Sequence, residues 1–573
     1  MKIPDKYYNK FDGGVRRDKS PYELKDNELQ RGRNFEVDQE GRIRKRRGCY
    51  QFGQNVAGLP LAIHHDPNGF FVANNAASPA VVYRLSSGRL NTALTTASTS
   101  VVVTSTPSPD FNGSADLIEI EGDLINYDSY AANTFSTATN ITSAHAVGAS
   151  VNQWRSIGTL TSSDSSDGAW FAYLNTITFM LFNGGSTNGS NLWQVGTPTG
   201  SPSEVSNEPA GAKFLEVFRD RLFTVGNGAS GGNPNNRVFY SNLGDGTSWP
   251  STITDNSFDL EDLTGEPIVG IKQYRGNLII FKPSSFYSFS GSLPVQQISS
   301  QYGIHNDRCV QEIDGLLYGF GPRGIWVSDG VSVKEIGQPV DEYSQDFKFG
   351  FVANGSDVQQ LFTTQWQGKF IVYVGDITTV ETISDVMVVY DVKKKTFELF
   401  SGWTDPTIMQ HLLRFKTDNL NQQRNTLFWG ASTKVFRAFE DRHTEIDGSG
   451  VATTRGTDIF SDLFSNTGSN IDFQVLTKPY DLGYPQYRKQ FGGGYLKIFS
   501  EKPQGTNVSV IIDEGDPIPL GRLKGKINRF PFPANVKGYR CAILLDESSQ
   551  TSSTIINRFI FEDITTIDKN VVN

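Results

Sequence analysis

A short pattern recurs along most of this chain: a polar residue and a glycine lead into an apolar, aromatic stretch, and a second such stretch follows. IDGLLYGFGPRGIWVSDG (313–330) is one copy. Aromatic and β-branched side chains suit a pleated surface, and glycine provides the positive φ of a tight turn. The pattern therefore predicts an all-β protein built of short strand pairs. Seven copies can be counted, at 68–88, 167–185, 218–242, 274–291, 313–330, 367–402 and 424–441.

Successive copies lie roughly 40 to 60 residues apart, close to the length of one β-propeller blade. A single copy would leave apolar faces and strand edges open, whereas radial repetition buries the faces and shortens the edges. We therefore predict a β-propeller of about six or seven blades over 61–94 and 152–445. A long array of β-sandwiches is the alternative that the pattern leaves open.

Two segments depart from this spacing. Residues 95–151 contain strands of their own between the first two copies, which predicts a small β-domain inserted in a loop of a blade. A polar, glycine-rich stretch near residue 445 precedes longer alternating strands such as NVSVIIDE and RCAILLDE. Alternation of this kind predicts a separate carboxy-terminal β-sandwich over 446–573.

Residues 1–60 are polar and are predicted to form a separate docking segment. Ser20 and Pro21 suit the start of a helix, so 20–35 carries a helical signal. The following EVDQEGRIRKRRG predicts a strand, a turn and a second strand. The acidic residues before the turn lie within cross-strand reach of a cationic cluster after it, and this cluster comprises Arg42, Arg44, Lys45, Arg46 and Arg47.

The whole chain is acidic, with 52 Lys and Arg against 61 Asp and Glu and a formal net charge of −9. An acidic surface argues against wrapping a nucleic-acid duplex, because phosphate binding needs basic surface. The cationic cluster leaves two interpretations open: a solvated hairpin with paired charges and a direct DNA contact.

No motif for catalysis, a cofactor or a metal emerges. The adjacent histidines His64 and His65 cannot share one face of a strand, and no HExxH, GxSxG or P-loop pattern occurs. Three widely spaced cysteines, Cys49, Cys309 and Cys541, predict reduced, buried thiols. We predict a protein that is not an enzyme and has no catalytic, cofactor-binding or metal-binding residues.

Carboxylate pairs and tryptophans are the remaining candidates for chemistry. The pairs Glu119/Glu121, Glu261/Asp262 and Asp341/Glu342 are interpreted as solvated strand or turn charges, although a glycosidase also needs two carboxyls. Tryptophans recur about once per copy, which predicts packing between blades in preference to a row of sugar-stacking rings. They are Trp170, Trp193, Trp249, Trp326, Trp366, Trp403 and Trp429.

The order of these patterns resembles the tail nozzle or hub proteins of short-tailed phages, also called tail tubular protein B or head-stabilising proteins. FDGGVRRDKSPYELKDNELQRGRNFEVDQEGRIRKRRGCYQFG opens the resemblance. FLEVFRDRLFTVGN, GEPIVGIKQYRGNLIIFKPSSFYSFSG and QYGIHNDRCVQEIDGLLYGFGPRGIWVSDG follow in order, and VLTKPYDLGYPQYRKQF leads into the last section. The resemblance covers most of the chain as spaced pattern.

The resemblance implies a propeller and a virion tail protein assembled in the host cytoplasm, and the absence of an export signal or apolar span agrees with that expectation. It implies a ring, usually of six copies, below the portal and its adaptor. Other tail proteins or fibres would be partners, and genomic DNA would pass through without sequence-specific binding. The cationic cluster would then dock on a neighbouring subunit or the adaptor.

Two other functions remain open. One is a carbohydrate-binding or glycan-cleaving tail protein, with the tryptophans as sugar subsites. The other is a bacterial surface propeller that acts as an adhesin.

Overall fold

The computed structural model shows a protein of β-strands. Its described residues contain no α-helix and two 3₁₀ turns, Asp307–Cys309 and Gln338–Val340, so the all-β prediction is confirmed. The structure describes 1–75, 80–104, 111–120, 123–160, 168–182, 192–196, 200–209, 211–226, 236–250, 256–260, 265–340, 361–377, 383–402, 406–415, 424–431, 433–438, 461–462, 469–501, 505–549 and 554–569.

Seven four-stranded antiparallel groups, named here units 1 to 7, fill the middle of the chain, and each predicted copy supplies strands to one of them. Unit 1 contains Leu59–Asp66, Gly69–Asn75, Ala80–Arg89 and Ser150–Leu160, and unit 2 contains Ala169–Leu174, Ile177–Phe182, Leu192–Val195 and Ser203–Glu204. Unit 3 contains Lys213–Phe218, Arg221–Gly226, Arg237–Tyr240 and Ser257–Asp259, and unit 4 contains Gly270–Tyr274, Asn277–Phe281, Phe286–Phe289 and Gln296–Ser299. Unit 5 contains Val310–Ile313, Leu316–Gly321, Gly324–Ser328 and Val333–Glu335, and unit 6 contains Phe362–Trp366, Lys369–Ile377, Ile383–Asp391 and Thr396–Phe400. Unit 7 contains Pro406–Phe415, Arg424–Ala431, Lys434–Ala438 and Cys49–Gln51.

The first strands of the units contact one another in succession. Between units 4 and 5 the contact runs through the 3₁₀ turn that leads into unit 5, and the first strand of unit 7 lies against that of unit 1. The succession therefore closes on itself. The fourth strand of unit 7 comes from the start of the chain, since Cys49–Gln51 pairs antiparallel with Lys434–Ala438.

Tryptophans and other aromatic side chains fill the spaces between units. The Trp326 indole of unit 5 stacks on Phe286 of unit 4 with ring centres 5.2 Å apart, and its Nε1 donates to the Gly303 carbonyl at 2.8 Å. Gly319 lies beneath this ring, where a Cβ would come within 2.1 Å of it. Burial confirms the packing prediction for Trp193, Trp249, Trp326, Trp366 and Trp429, whereas Trp170 is half-buried and Trp403 lies outside the described residues.

The predicted insertion lies in the connection between the third and fourth strands of unit 1. Its strands are Ser100–Val102, Ser114–Ile120, Asp123–Ala131 and Thr134–Ser136, and the second of them pairs with the start of Ser150–Leu160. Ile118, Ile125, Tyr127 and Phe135 belong to a core separate from those of the units. The insertion thus extends one sheet while having its own apolar interior.

Strands from both ends of the chain form the terminal sheets. The first sheet contains Lys6–Tyr8, Phe35–Val37, Ile43–Lys45, Tyr495–Glu501, Ile527–Pro531 and Ile555–Glu562. The second sheet contains Gly14–Val15, Glu28–Arg33, Ser461–Asp462, Ser469–Thr477, Asn507–Ile512, Ile518–Arg522 and Cys541–Ser549. The third sheet contains Tyr487–Gln490, Lys537–Gly538 and Thr565–Lys569. The first two share a core that includes Phe35, Ile43, Leu29 and Val475.

This pairing corrects two predictions. The first 45 residues are not a separate segment, because their strands are hydrogen-bonded to strands beyond residue 468, and 49–51 belongs to unit 7. The helical signal over 20–35 is wrong as well. Ser20 supports only a single turn with Glu23, and Glu28–Arg33 becomes a strand because Ser469–Thr477 offers it a ladder of backbone hydrogen bonds.

All three cysteines are free and buried, as predicted. Among the described residues, no helix is long and apolar enough to cross a membrane.

Candidate functional site

The cationic cluster lies on the second strand of the predicted hairpin and on the residues that flank this strand. Phe35–Val37 pairs antiparallel with Ile43–Lys45, so that Glu36 stands opposite Arg44. Two guanidinium nitrogens of Arg44 donate to Glu36 Oε2, and Arg42 Nε donates to Asp38 Oδ2 at 2.6 Å. The predicted cross-turn ion pairs are therefore present.

Lys45 points into the terminal sheets and is 1% exposed. Its Nζ lies 3.3 Å from Glu547 Oε1, and the hydroxyls of Thr506 and Thr554 donate to the other oxygen of that carboxylate at 2.5 and 2.9 Å. Burial lowers the pKa of Lys45, although Glu547 opposes the shift. The two charges are thus paired and hydrogen-bonded, which is the condition under which buried ions persist.

Arg46 is fully buried and joins the terminal sheets to unit 6. Its Nε donates to Asn34 Oδ1 at 2.7 Å, and its Nη2 donates to the Ser401 carbonyl, just past unit 6, at 3.0 Å. Asn34 also accepts from the Ser401 amide at 2.8 Å and donates to the Asp472 carbonyl at 2.8 Å. Asn34 has a φ of 56°, a conformation that asparagine tolerates better than most residues.

A second buried cluster lies beside the first. Lys369 Nζ of unit 6 donates to Glu398 Oε2 at 2.6 Å, while Glu398 Oε1 accepts from the Val37 amide of the hairpin at 2.8 Å. Burial would raise the pKa of Glu36, but Lys369, Arg44 and Arg47 outweigh burial and lower it. Burial and the neighbouring Glu36 raise the pKa of Glu398 despite Lys369.

We name these residues the charged joint: Asn34, Glu36, Arg44, Lys45, Arg46, Lys369, Glu398 and Glu547. Arg46, Lys369 and Glu398 tie the hairpin to unit 6, and Lys45 ties it to the last strands of the chain. This geometry corrects the predicted docking interface at Lys45 and Arg46, because buried side chains cannot present charge to a partner. Arg42, Arg44 and Arg47 are half-buried, and for them docking stays a prediction.

A polar cluster that sequence analysis missed lies on the first strands of units 2 to 5. Trp170 Nε1 of unit 2 donates to the carboxylate of Asp307 at the entry to unit 5. Burial raises the pKa of Asp307 although Arg308, Trp170 and Lys272 oppose it. Burial also raises the pKa of Glu216 of unit 3 against the attraction of Lys272 of unit 4.

The first strands of the units contact one another in succession, and these polar residues lie on them or in the 3₁₀ turn before unit 5. We name the five residues the axial cluster: Trp170, Glu216, Lys272, Asp307 and Arg308. They are half-buried side chains. The Asp307 carboxyl, hydrogen-bonded to an indole and with a raised pKa, is a candidate for contact with a polar ligand. Its members are far apart in sequence, so no local pattern indicates that they lie together.

The other predicted carboxylates do not assemble into a site. Glu119 is buried and accepts from Asn152 Nδ2 at 2.8 Å, a structural role in the insertion. Glu121, the pair 261–262 and the pair 341–342 lie outside the described residues. His64 and His65 stand opposite Phe71 and Phe70 on successive positions of one strand, hence on opposite faces. Within the described part of the chain, no group of three or more His, Cys, Asp or Glu side chains could hold a metal ion.

No family model and no curated protein matches this sequence. Among solved structures, the chain is similar to the extracellular domain of a B. thetaiotaomicron protein assigned as a one-component system, with 11% identity, a TM-score of 0.34 and coverage of 93% of this chain and 63% of that one. It is similar to an exo-beta-1,3-galactanase from Phanerochaete chrysosporium, with 10% identity, a TM-score of 0.26 and coverage of 90% of this chain and 99% of that one. It is also similar to the Pan2 WD40 domain from Neurospora crassa, with 7% identity, a TM-score of 0.31 and coverage of 62% of this chain and 96% of that one. Similarities of this size do not extend to function.

Proposed function

We propose that units 1 to 7 are the blades of a seven-bladed β-propeller and that the first two terminal sheets form a β-sandwich beside it. Two observations support this arrangement: the closed succession of first strands, and the closing of unit 7 by a strand from the opposite end of the chain. Such closure leaves no open end between the first and last units.

We propose further that the protein is a structural subunit of a phage tail nozzle, which attaches below the portal and adaptor, retains packaged DNA and conducts it during ejection. The charged joint is the observation that carries the proposal. Through Lys45, Arg46 and Glu398, it fixes the propeller to a body containing both chain ends by buried, hydrogen-bonded charges. A rigid two-part subunit suits a load-bearing ring, and an acidic chain suits a passage that must not grip phosphates.

Electron microscopy of the purified chain, alone and with the adaptor protein, tests this function. We expect rings with an axial opening that attach to the adaptor. Chains that stay monomeric and never join the adaptor would contradict the proposal.

A second candidate, a carbohydrate-binding or glycan-cleaving protein, is favoured by the axial cluster. Its half-buried indole and two protonatable carboxyls are groups that bind and hydrolyse sugars elsewhere. Oligosaccharide release and glycan binding should then be lost in Glu216→Gln and Asp307→Asn. Lys334→Gln, at an exposed position outside the cluster, is the control. Absence of both activities in the intact chain would eliminate this candidate.

A further inference from the structure

Three loops of the propeller units expose large apolar side chains at equivalent positions. Leu243, Leu293 and Val331 are 66%, 64% and 82% exposed, and each lies between the third and fourth strands of its unit, in units 3, 4 and 5. Isolated exposed apolar residues are ordinary, but three at matched positions of consecutive units form a pattern.

These loops lie at one end of their sheets. In an antiparallel meander, the turn between strands one and two and the loop between strands three and four leave the sheet at the same end. Contacts between neighbouring units confirm this placement: Asn175 Nδ2 of unit 2 donates to Gly244 O of unit 3 at 2.6 Å, and Arg275 Nη1 of unit 4 donates to Asp329 O of unit 5 at 3.3 Å.

Hydrogen bonds order the loops of Leu243 and Val331, and a packing contact orders the loop of Leu293. The Asp329 carboxylate accepts from the amides of Val331 and Ser332 at 2.9 and 2.8 Å, and Asp245 accepts from Thr247 in the same way. Arg219 of unit 3 packs over Gly291, where a Cβ would lie 2.2 Å from its Nη1. A preorganised surface loses less conformational entropy when a partner binds.

The charge around the tips is negative. Exposed carboxylates stand in the turns and loops beside them: Asp220, Asp245, Asp314 and Asp329. The two arginines of the same turns, Arg219 and Arg275, are exposed as well, so the four carboxylates leave an excess of negative charge. Arg275 donates to Gly315 O at 2.6 Å and to Asp329 O, and Arg219 lies against the Phe218 ring. We name this surface the acidic face; it would suit a cationic partner with apolar side chains.

The terminal sheets carry a surface of that chemistry. Ile518–Arg522 and Ile527–Pro531 are the last strands of their two sheets, at the ends away from the strands that the amino-terminal residues contribute. Between and on them, Arg522, Lys524, Lys526 and Ile527 are exposed, Ile527 at 59%. We name these four residues the basic edge. Lysine on an edge strand also discourages random strand pairing, so the edge admits a charge-matched partner more readily than a generic one.

We propose that the basic edge of one copy of this chain docks on the acidic face of the next copy. The two surfaces differ, so the contact is heterologous and repeats head to tail, closing into a ring if the rotation permits. The inference rests on the self-assembly proposed above and names the surfaces that would make it.

Sedimentation velocity of the full chain over a range of concentrations and salt tests the contact with three variants. Lys524→Glu/Lys526→Glu reverses the charge of the basic edge, and Leu293→Ser/Val331→Ser removes two of the exposed apolar side chains. Asp220→Asn/Asp314→Asn neutralises two carboxylates of the acidic face, and asparagine tolerates the φ of 55° and 49° at these positions. Each should weaken association about tenfold or more. Salt should weaken the native contact as well.

Lys10→Glu/Lys25→Glu, at two exposed positions that belong to neither surface, is the control with the same charge change and should leave association intact. Circular dichroism identifies any variant that fails to fold, and the remaining pairs then decide. Assemblies that persist unchanged in the folded variants would overturn the contact and leave the nozzle proposal standing. A chain that stays monomeric under all conditions would overturn both.

Discussion

Lys45 and Glu547 face each other at 3.3 Å although 502 residues separate them in sequence. Lys45 belongs to the hairpin that also contacts unit 6, and Glu547 belongs to a strand of the second terminal sheet. One ion pair therefore joins the two ends of the chain inside the protein. Its burial makes it sensitive to the loss of either charge.

Replacing Lys45 with Met should destabilise the terminal sheets by about 3–5 kcal/mol, because Glu547 would be left buried without its cation. Urea unfolding followed by hydrogen exchange in 541–549 measures the effect. Arg42→Met is the control: the Arg42 side chain is 26% exposed, and its loss should change stability by about 1 kcal/mol or less. Adding Glu547→Leu to Lys45→Met should recover much of the loss. An equal loss of stability in Lys45→Met and in Arg42→Met would contradict the buried-pair interpretation.

Gly319→Ala should destabilise the contact between units 4 and 5 by about 1–3 kcal/mol, since the new methyl group would meet the Trp326 ring in a filled core. Tryptophan fluorescence during denaturation reports the change. Gly196→Ala is the matched control, because a Cβ there meets nothing within 4 Å. A Gly319→Ala protein as stable as the control would refute the packing described for this interface.

The insertion should lose stability in acid through Asp123. Burial would raise the pKa of this carboxyl, but hydrogen bonds from His145, Thr142 and Ser143 lower it well below its ordinary 3.8. A carboxyl with a lowered folded pKa stabilises the fold above its unfolded pKa, and this contribution is lost as the pH falls from there towards the folded pKa.

At pH 7, hydrogen exchange in 123–145 should therefore be faster in Asp123→Asn than in the native chain. This difference in exchange rate should shrink below about pH 4, where the native chain loses the same stabilisation. Asp128→Asn, an exposed change in the same strand, is the control. A difference that stays constant with pH would exclude Asp123 as the titrating group.

The ionisation of Glu216 should affect stability in the opposite direction to that of Asp123. Burial raises its pKa, so its ionised form destabilises the fold as the pH rises above the ordinary glutamate value of 4.5. Glu216→Gln should therefore raise the thermal midpoint at pH 8, and the gain should vanish near pH 4. Removing an unfavourable buried charge commonly stabilises a protein. A lower midpoint for Glu216→Gln at pH 8 would show that Lys272 holds this carboxylate favourably.

The sequence predicts those parts of this fold that depend on neighbouring residues. Glycine turns between aromatic strands predicted the strand pairs, and the charge alternation around Gly41 predicted the Glu36–Arg44 pair. Partners far apart in sequence leave no such signal. Nothing local to Glu28–Arg33 or to Lys45 shows that residues beyond 468 complete their sheets and bury their charges. The axial cluster was missed for the same reason.

The fourth strand of unit 7 has a consequence for biosynthesis. Residues 49–51 leave the ribosome early, yet their partner strand Lys434–Ala438 follows almost four hundred residues later, and the strands that pair with residues 1–45 emerge later still. At ordinary translation speeds, the nascent amino terminus waits roughly 20–100 s for its partners. During that interval a chaperone could shield its unpaired strands, and the synthesis of 469–569 would supply the partners that complete the terminal sheets.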